Sequence, residues 1–318
     1  MTIDLTDTTT GAIDQALNEA RRRLGGMTLG MVLTLIIVTD EAAQYDAIRA
    51  ANQAAREHPC RVLAVIARKA KADSRLDAEI RVGEASPGET IVLRMYGPLG
   101  QHADSVIAPL LVPDVPVVTW WPDNGPETPA KDPLGALAQR RVTDAAAADA
   151  PHHALVALAD GYQPGDTDFG WTRATPWRSL LAATLDQPHP RITASEIAAE
   201  EGNPTADLIA AWLGLRLSIP VARTVSGGPG ITKATFSMPD GNIEITRADG
   251  RTATLAWPGR IDRMVALHRR DTAELLAEEL RRLDPDEVYA ETLSHVTAAA
   301  TPELPAAPEP AELPAAEI

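Results

Sequence analysis

The sequence predicts an α/β protein: an N-terminal domain on a mixed, mostly parallel α/β sheet, followed by an α+β domain with an antiparallel four-stranded meander and covering helices. Three observations point there. Two apolar runs rich in β-branched residues, Met31 to Val38 and Arg61 to Ala67, flank a helical stretch, as in a β-α-β unit buried on both faces. Beyond residue 215 the pattern becomes short strand-like runs joined by GGPG (227–230), PDG (239–241) and ADG (248–250), all turn chemistry. From about Ala298 only Ala, Pro, Glu and a few aliphatic residues remain, too little apolar surface to offset ordering entropy. The expected divisions are 1–168, 169–297 and a disordered tail, 298–318.

Element by element, residues 10–24 place Ile13, Leu17 and Leu24 on one helical face, with Arg21, Arg22 and Arg23 suiting the helix C-terminus. Thr39 and Asp40 can cap a helix running to about Glu57. Leu76–Val82 and Thr90–Tyr96 pair around the Pro87-Gly88 turn. Strands are expected at Val115–Trp121 and His153–Ala159, with helices near 99–111 and 133–148. In the second half, Thr175-Pro176 and Asn203-Pro204 each read as an N-cap followed by a proline at the first helical position. The second of these helices carries Leu208, Ile209, Trp212 and Leu213 on one face. Strands follow at about 219–225, 231–238, 242–247 and 252–257. Asp271 with Glu274, and Asp284-Pro285 with Glu287, start two closing helices, whose Leu276, Leu280 and Leu283 would cover the meander.

The formal net charge is −15, which disfavours nucleic acid and anionic membrane surfaces as partners. Cys60 is the one cysteine, so no internal disulfide and no cysteine-based zinc site can form. The N-terminus lacks an apolar signal core, and the longest apolar run falls far short of the ~20 residues that span a bilayer. A cytoplasmic location is expected.

Catalytic signatures fail in turn, and no cofactor or metal is expected. Gly25-Gly26 and Gly30 precede a strand instead of following one, so they read as a loop, not a phosphate cradle. The GGPG stretch reads as a hairpin turn between antiparallel strands. His268-Arg269-Arg270-Asp271 echoes a kinase catalytic loop without its downstream asparagine, and Asp271 serves as a helix cap. His152-His153 has no carboxylate at metal-ligand spacing, and Cys60 reads as a small buried thiol. Asp166 and Asp168, two apart in GDTDFGWTR, suit a turn with Asx hydrogen bonds better than an acid/base pair.

One positive feature stands beside these absences. The connections 122–132 and 159–175 are long, and each follows a strand expected in the same sheet. If those strands are parallel, both loops emerge at the carboxyl edge, where α/β proteins place binding sites. Around them lie Trp120, Trp121, Asp166, Asp168, Trp171, Arg173, Trp177 and Arg178. Trp and Arg anchor protein interfaces, so these eight form a candidate partner surface. The competing reading is an interdomain linker whose tryptophans pack the two domains together.

Several segments together resemble one family. DLTDTTTGAIDQAL, GMVLTLIIVTD, REHPCRVLAVI, HADSVIAPLLVPDVPVVTWWP, YQPGDTDFGWTRATPWRSLLA, DLIAAWLGLRL and ELLAEELRRLDPDEVYAETL run, in order, as in the actinobacterial type of the glucose-6-phosphate dehydrogenase assembly protein family, OpcA. The likeness spans about Ile3 to Leu293. It implies a non-enzymatic, allosterically activating partner of the NADP-dependent dehydrogenase, feeding the oxidative pentose phosphate pathway, with no catalytic residues to carry over. Cyanobacterial relatives are associated with thioredoxin-linked control, which needs cysteine pairs; Cys60 alone excludes an intramolecular switch here. The alternative is a small-ligand sensor or enzyme using the carboxyl-edge crevice.

Overall fold

The computed structural model describes residues 1–24, 30–68, 73–83 and 88–296. The Gly25-Gly26 loop, Pro87 and the tail from 298 lie outside them. The first half runs β1 (Thr2–Leu5), α1 (Thr10–Arg23), β2 (Leu33–Thr39), α2 (Gln44–Ala54), β3 (Cys60–Arg68), β4 (Arg75–Val82), β5 (Glu89–Tyr96), α3 (Ala103–Ile107), β6 (Val117–Trp120) and β7 (Arg140–Thr143). There follow α4 (Pro151–Gly161), β8 (Asp166–Asp168), α5 (Phe169–Leu185), β9 (Ala194–Ala199), α6 (Pro204–Leu217) and β10 (Val221–Val225). The chain continues with β11 (Ile231–Met238), β12 (Gly241–Thr246), β13 (Thr252–Ala256), β14 (Arg263–Ala266), α7 (Thr272–Arg281) and α8 (Glu287–Val296).

Two sheets result. The first has the order β1-β4-β5-β3-β2-β6-β7-β8, parallel from β5 through β8 and antiparallel where β4 meets β5 and β1. The apolar runs are continuous because both faces are covered. Leu33, Leu35 and Ile37 of β2 meet α2 and α7, while Ile36 meets the layer formed by α1 and α3. The second sheet has the order β10-β9-β11-β12-β13-β14 and is antiparallel except between β9 and β10. Helices α4, α5, α6 and α8 pack with it in one core around Trp177, Ile209, Phe236 and Tyr289.

Several expectations need correction. Residues 153–159 form part of α4 instead of a strand: a short apolar run fits either state, and Pro151 at the helix start decides for the helix. Residues 133–148 are not a helix but hold β7 between single helical turns. Its Arg140 and Arg141 are buried because Glu279 and Asp166 pair with them, so a polar stretch becomes an interior strand. Pro176 lies inside α5, which begins at Phe169 with Asp168 as its cap. A proline there deprives the carbonyl four residues back of its donor, and Arg270 Nη2 donates to that carbonyl, on Thr172. Residues 219–225 do not open the meander. As β10 they pair parallel with β9, which separates them from β11, so GGPG is a crossover around the end of β9 and not a hairpin turn. The four-stranded meander is β11 to β14. Leu276 and Leu280 cover the first sheet rather than the meander. Asp286, not Asp284, caps α8, and Leu24 is exposed.

Other signals hold. Asn203 Oδ1 accepts from Ala206 N at 3.0 Å at the start of α6, and Asp271 with Glu274 forms a capping box on α7. Asp40 Oδ1 accepts from Ala42 N and Ala43 N, both at 2.8 Å, turning the chain into α2. At the amino end of β5, Glu89 is 1 % exposed and holds two arginines. Arg21 Nε and Nη2 donate to it at 2.5 and 2.8 Å, and Arg61 Nε at 3.0 Å. Gly88 beside it admits no side chain: a Cβ would stand 2.0 Å from the Cys60 carbonyl oxygen.

Candidate functional site

Parallel strands deliver their carboxyl ends to one edge of the first sheet, and aspartates gather there. Asp40 follows β2, Asp123 lies three residues past β6, Asp144 follows β7 and Asp168 ends β8. Between this edge, α2 and the start of α7 opens a cleft of ≈ 560 Å³, lined among others by Asp46, Trp120, Asp123, Asp144 and Asp271. A smaller hollow of ≈ 210 Å³ continues past Asp123 and Asp144 to His153.

The carboxylates differ in how they are balanced. Asp144 is buried and gripped by Arg173 through two bonds of 2.6 Å. Burial works against the charge of Arg173, but these bonds outweigh it and raise its pKa. Burial, with Asp40 and Asp144 nearby, also raises the pKa of Asp123, against a contribution from the Thr39 hydroxyl. Asp168 has no exposed surface; Ala145 N at 2.8 Å, Gly170 N at 2.7 Å and Thr143 Oγ1 at 2.8 Å donate to it. Its pKa is pushed up to about 6, first by burial and then by Asp144, against those three donors.

That shift has a defined sign. An acid whose folded value lies above its unfolded one holds its proton better in the native state. The penalty on folding is therefore fully present above about pH 6 and is relieved as pH falls from 6 toward the unfolded value of ~3.9. Relative to Asp168→Asn, the wild-type chain should gain about 1 kcal/mol of unfolding free energy between pH 7.5 and pH 5. Denaturant titrations at the two pH values measure it, and a pH-independent difference would exclude Asp168 as the titrating group.

Of the eight residues expected at a partner surface, Trp120, Trp121 and Asp168 stand at the carboxyl ends of β6 and β8 but are buried, Asp166 opens β8 at its amino end, and the other four lie on α5. Residues 159–175 are not one loop; they comprise the end of α4, β8 and the first turns of α5, which places Trp171, Arg173, Trp177 and Arg178 on a helix. Trp120, Trp121, Trp171 and Trp177 are all buried. Trp120 stacks obliquely on Phe169 with centroids 5.7 Å apart, and Trp171 Nε1 donates to Asp286 Oδ2 at 2.8 Å while its ring packs on Tyr289. Arg178 lies 3.6 Å over the Trp171 ring. Asp166 pairs with Arg141 and accepts from Gln163 N at 2.7 Å, while the Asx bond expected in this loop is the one from Gly170 N to Asp168. Trp120 thus meets α5 from the first sheet, while Trp171 and Trp177 pack into the core around the second. Cys60 is buried and its thiol is pushed up to about 12, while His152 Nδ1 sits 3.3 Å from Asp207 Oδ2.

Sequence reasoning missed Asp40, Asp123 and Asp144. Their signal was present: Val38-Thr39-Asp40 and Val142-Thr143-Asp144 repeat the same ending on two strands. A dinucleotide-binding edge presents a glycine-rich turn and helix amides to pyrophosphate, whereas carboxylates at this edge repel phosphate.

Fold and site define a two-sheet α/β protein with an acidic carboxyl edge. Residues 51–160 match the family model described as the glucose-6-phosphate dehydrogenase subunit N-terminal domain, and residues 164–293 match that of its C-terminal domain. The chain belongs to the OpcA family of glucose-6-phosphate dehydrogenase assembly proteins. Among curated proteins none matches it. Solved structures give weaker likenesses. KijD10, a 3-ketoreductase from Actinomadura kijaniata in complex with NADP and TDP-benzene, is 12% identical, with 83% of this chain and 94% of that one covered and a TM-score of 0.48. An oxidoreductase from Sinorhizobium meliloti is 10% identical, with 84% and 95% covered and a TM-score of 0.45. At this level they bear on neither activity nor partners. Among the described residues no helix is long and apolar enough to cross a membrane.

Proposed function

We propose that this chain is a non-enzymatic assembly and activating partner of glucose-6-phosphate dehydrogenase, acting in the cytoplasm in support of the oxidative pentose phosphate pathway. The observation that carries the reading is the succession of both family domains along 51–160 and 164–293. The acidic carboxyl edge fits it, because a cleft rimmed by Asp123 and Asp271, with Asp46 paired to Arg49, suits a basic segment of a protein better than a phosphorylated cofactor. In this reading Trp120, Trp121, Asp166, Asp168, Trp171, Arg173, Trp177 and Arg178 act from below. They hold the edge in shape, and the exposed rim makes the contact.

Mixing the purified chain with the dehydrogenase tests this. Co-elution on size exclusion and a rise in assembled or active dehydrogenase are expected, with no turnover of glucose 6-phosphate and NADP by the chain alone. Asp46→Lys with Asp123→Asn should weaken the complex about tenfold or more, on the scale of an interface hot spot. An undiminished complex would exclude the edge; absence of any complex would exclude the function.

A second reading, a small-ligand sensor or enzyme at the same edge, is favoured by the ≈ 560 Å³ cleft. A metabolite that binds the isolated chain and is displaced by the dehydrogenase would support it.

A further inference from the structure

A chain with a net charge of −15 nevertheless gathers positive groups at one point. Where α5, the start of α6 and the segment before α7 meet, a pocket of ≈ 70 Å³ is lined by Arg173, Arg247, His268, Arg269 and Arg270. Asn203 and Thr205, at the amino end of α6, complete the wall with the positive end of the helix dipole.

Two of the arginines are matched: Arg173 by Asp144 and Arg270 by Glu278. Arg247 is not. It is 4 % exposed, and its Nη1 and Nη2 donate to the carbonyls of Leu267 and Ile231 at 3.3 and 2.9 Å. Its Nε has no partner among the described residues, and no carboxylate there forms an ion pair with it. The acidic groups acting on it through space are engaged elsewhere. Asp249 Oδ1 accepts from Arg251 N and Thr252 N, and Glu200 Oε1 accepts from Asn203 Nδ2. Burial, then Arg269, lowers the Arg247 pKa to about 10, while its guanidinium carbon lies 5.0 Å from the Trp177 ring centroid. Arg270 Nε is a second buried donor with no partner among the described residues.

A buried guanidinium whose charge is offset only by carbonyls is costly, and an unmet donor adds to that cost. An anion relieves both. The volume is about twice the ~30 Å³ that one water occupies in the liquid, the size of a single tetrahedral group and too small for a sugar or a base. Guanidinium forks suit phosphate oxygens.

We propose that this pocket binds a phosphate group, held by Arg247, Arg269 and Arg270, the rest of its carrier lying outside over the exposed His268 and Arg269. The pocket adjoins the acidic edge through the Arg173–Asp144 pair, and its occupancy does not depend on the dehydrogenase reading. The segment His268 to Arg270, which superficially resembles a catalytic motif, becomes here an anion-binding loop.

Calorimetry on the full chain tests this with inorganic phosphate, a hexose phosphate and an adenine nucleotide, each against sodium chloride at equal ionic strength. Phosphate-specific binding is expected. Arg269→Ala, an exposed position, should weaken it about tenfold or more while the circular dichroism spectrum is unchanged. Arg247→Met should weaken it at least as much, provided its spectrum matches wild type. Preference for the hexose phosphate or the nucleotide identifies the carrier, and equal binding identifies the phosphate group alone as the ligand; each supports the site. No phosphate-specific heat, or binding that survives Arg269→Ala unchanged, overturns it.

Discussion

Replacing Glu279 by alanine is expected to destabilise the chain by about 3–5 kcal/mol, the scale seen when one partner of a buried ion pair is removed. Glu279 on α7 is buried, and Arg140 of β7 donates to its Oε2 through Nη2 at 2.5 Å and Nε at 3.1 Å. Thr172 Oγ1 donates to the other oxygen at 2.6 Å. Removing the carboxylate strands a guanidinium in the interior, left with the Asp284 carbonyl at 3.0 Å. The loss should fall on α7 as a whole, because this bridge and the apolar contacts of Leu276 and Leu280 are what hold it on the first sheet. Chemical denaturation measures the cost. Replacing both partners with apolar residues, Arg140→Met with Glu279→Leu, should recover most of it, because no orphan charge remains. A loss below about 1 kcal/mol for Glu279→Ala would mean that water reaches the pair.

Glu89→Ala should cost at least as much, about 3–5 kcal/mol, because one buried carboxylate serves two arginines. Burial opposes the charge of Glu89, but bonds from Arg21 and Arg61 prevail and lower its pKa. The sign follows from that direction. A depressed acid contributes stability above its unfolded value of ~4.3, and that contribution is lost as pH falls through the folded value. The gap between wild type and Glu89→Ala should therefore be full at pH 7 and close below about pH 4. A gap independent of pH would assign the effect to lost packing instead of charge.

These two residues also mark where the sequence was hard to read. Runs such as Leu33 to Val38 declared themselves, because a strand covered on both faces needs apolar residues at every position. Caps were legible for the same local reason: Asp271 and Asn203 meet donors three residues away. Residues 140–143 were not, since Arg140 and Arg141 become interior only through Glu279 and Asp166, the first 139 positions distant. Pro176 misled because its helix continues only with a donor supplied by Arg270. Trp120 and Trp121 follow from the end of β6, but Trp171 and Trp177 belong to the core around the second sheet, and composition does not distinguish a tryptophan packed inside from one on a surface. Asp123 and Asp144 gained meaning only once parallel pairing of β2, β6 and β7 set their strand ends side by side.

The return of α7 to the first sheet has a consequence for synthesis. The face formed by Leu35, Ile37, Val62 and Ala64 is laid down early, yet its cover is encoded at residues 272–281. At the ~5–20 residues per second of a ribosome, on the order of 10–40 seconds separate the two. The strands β5 to β8 join the sheet during that interval, and this flank is roofed until its end only by α2. Helix α7 is thus the late-arriving lid of a face made about 200 residues earlier.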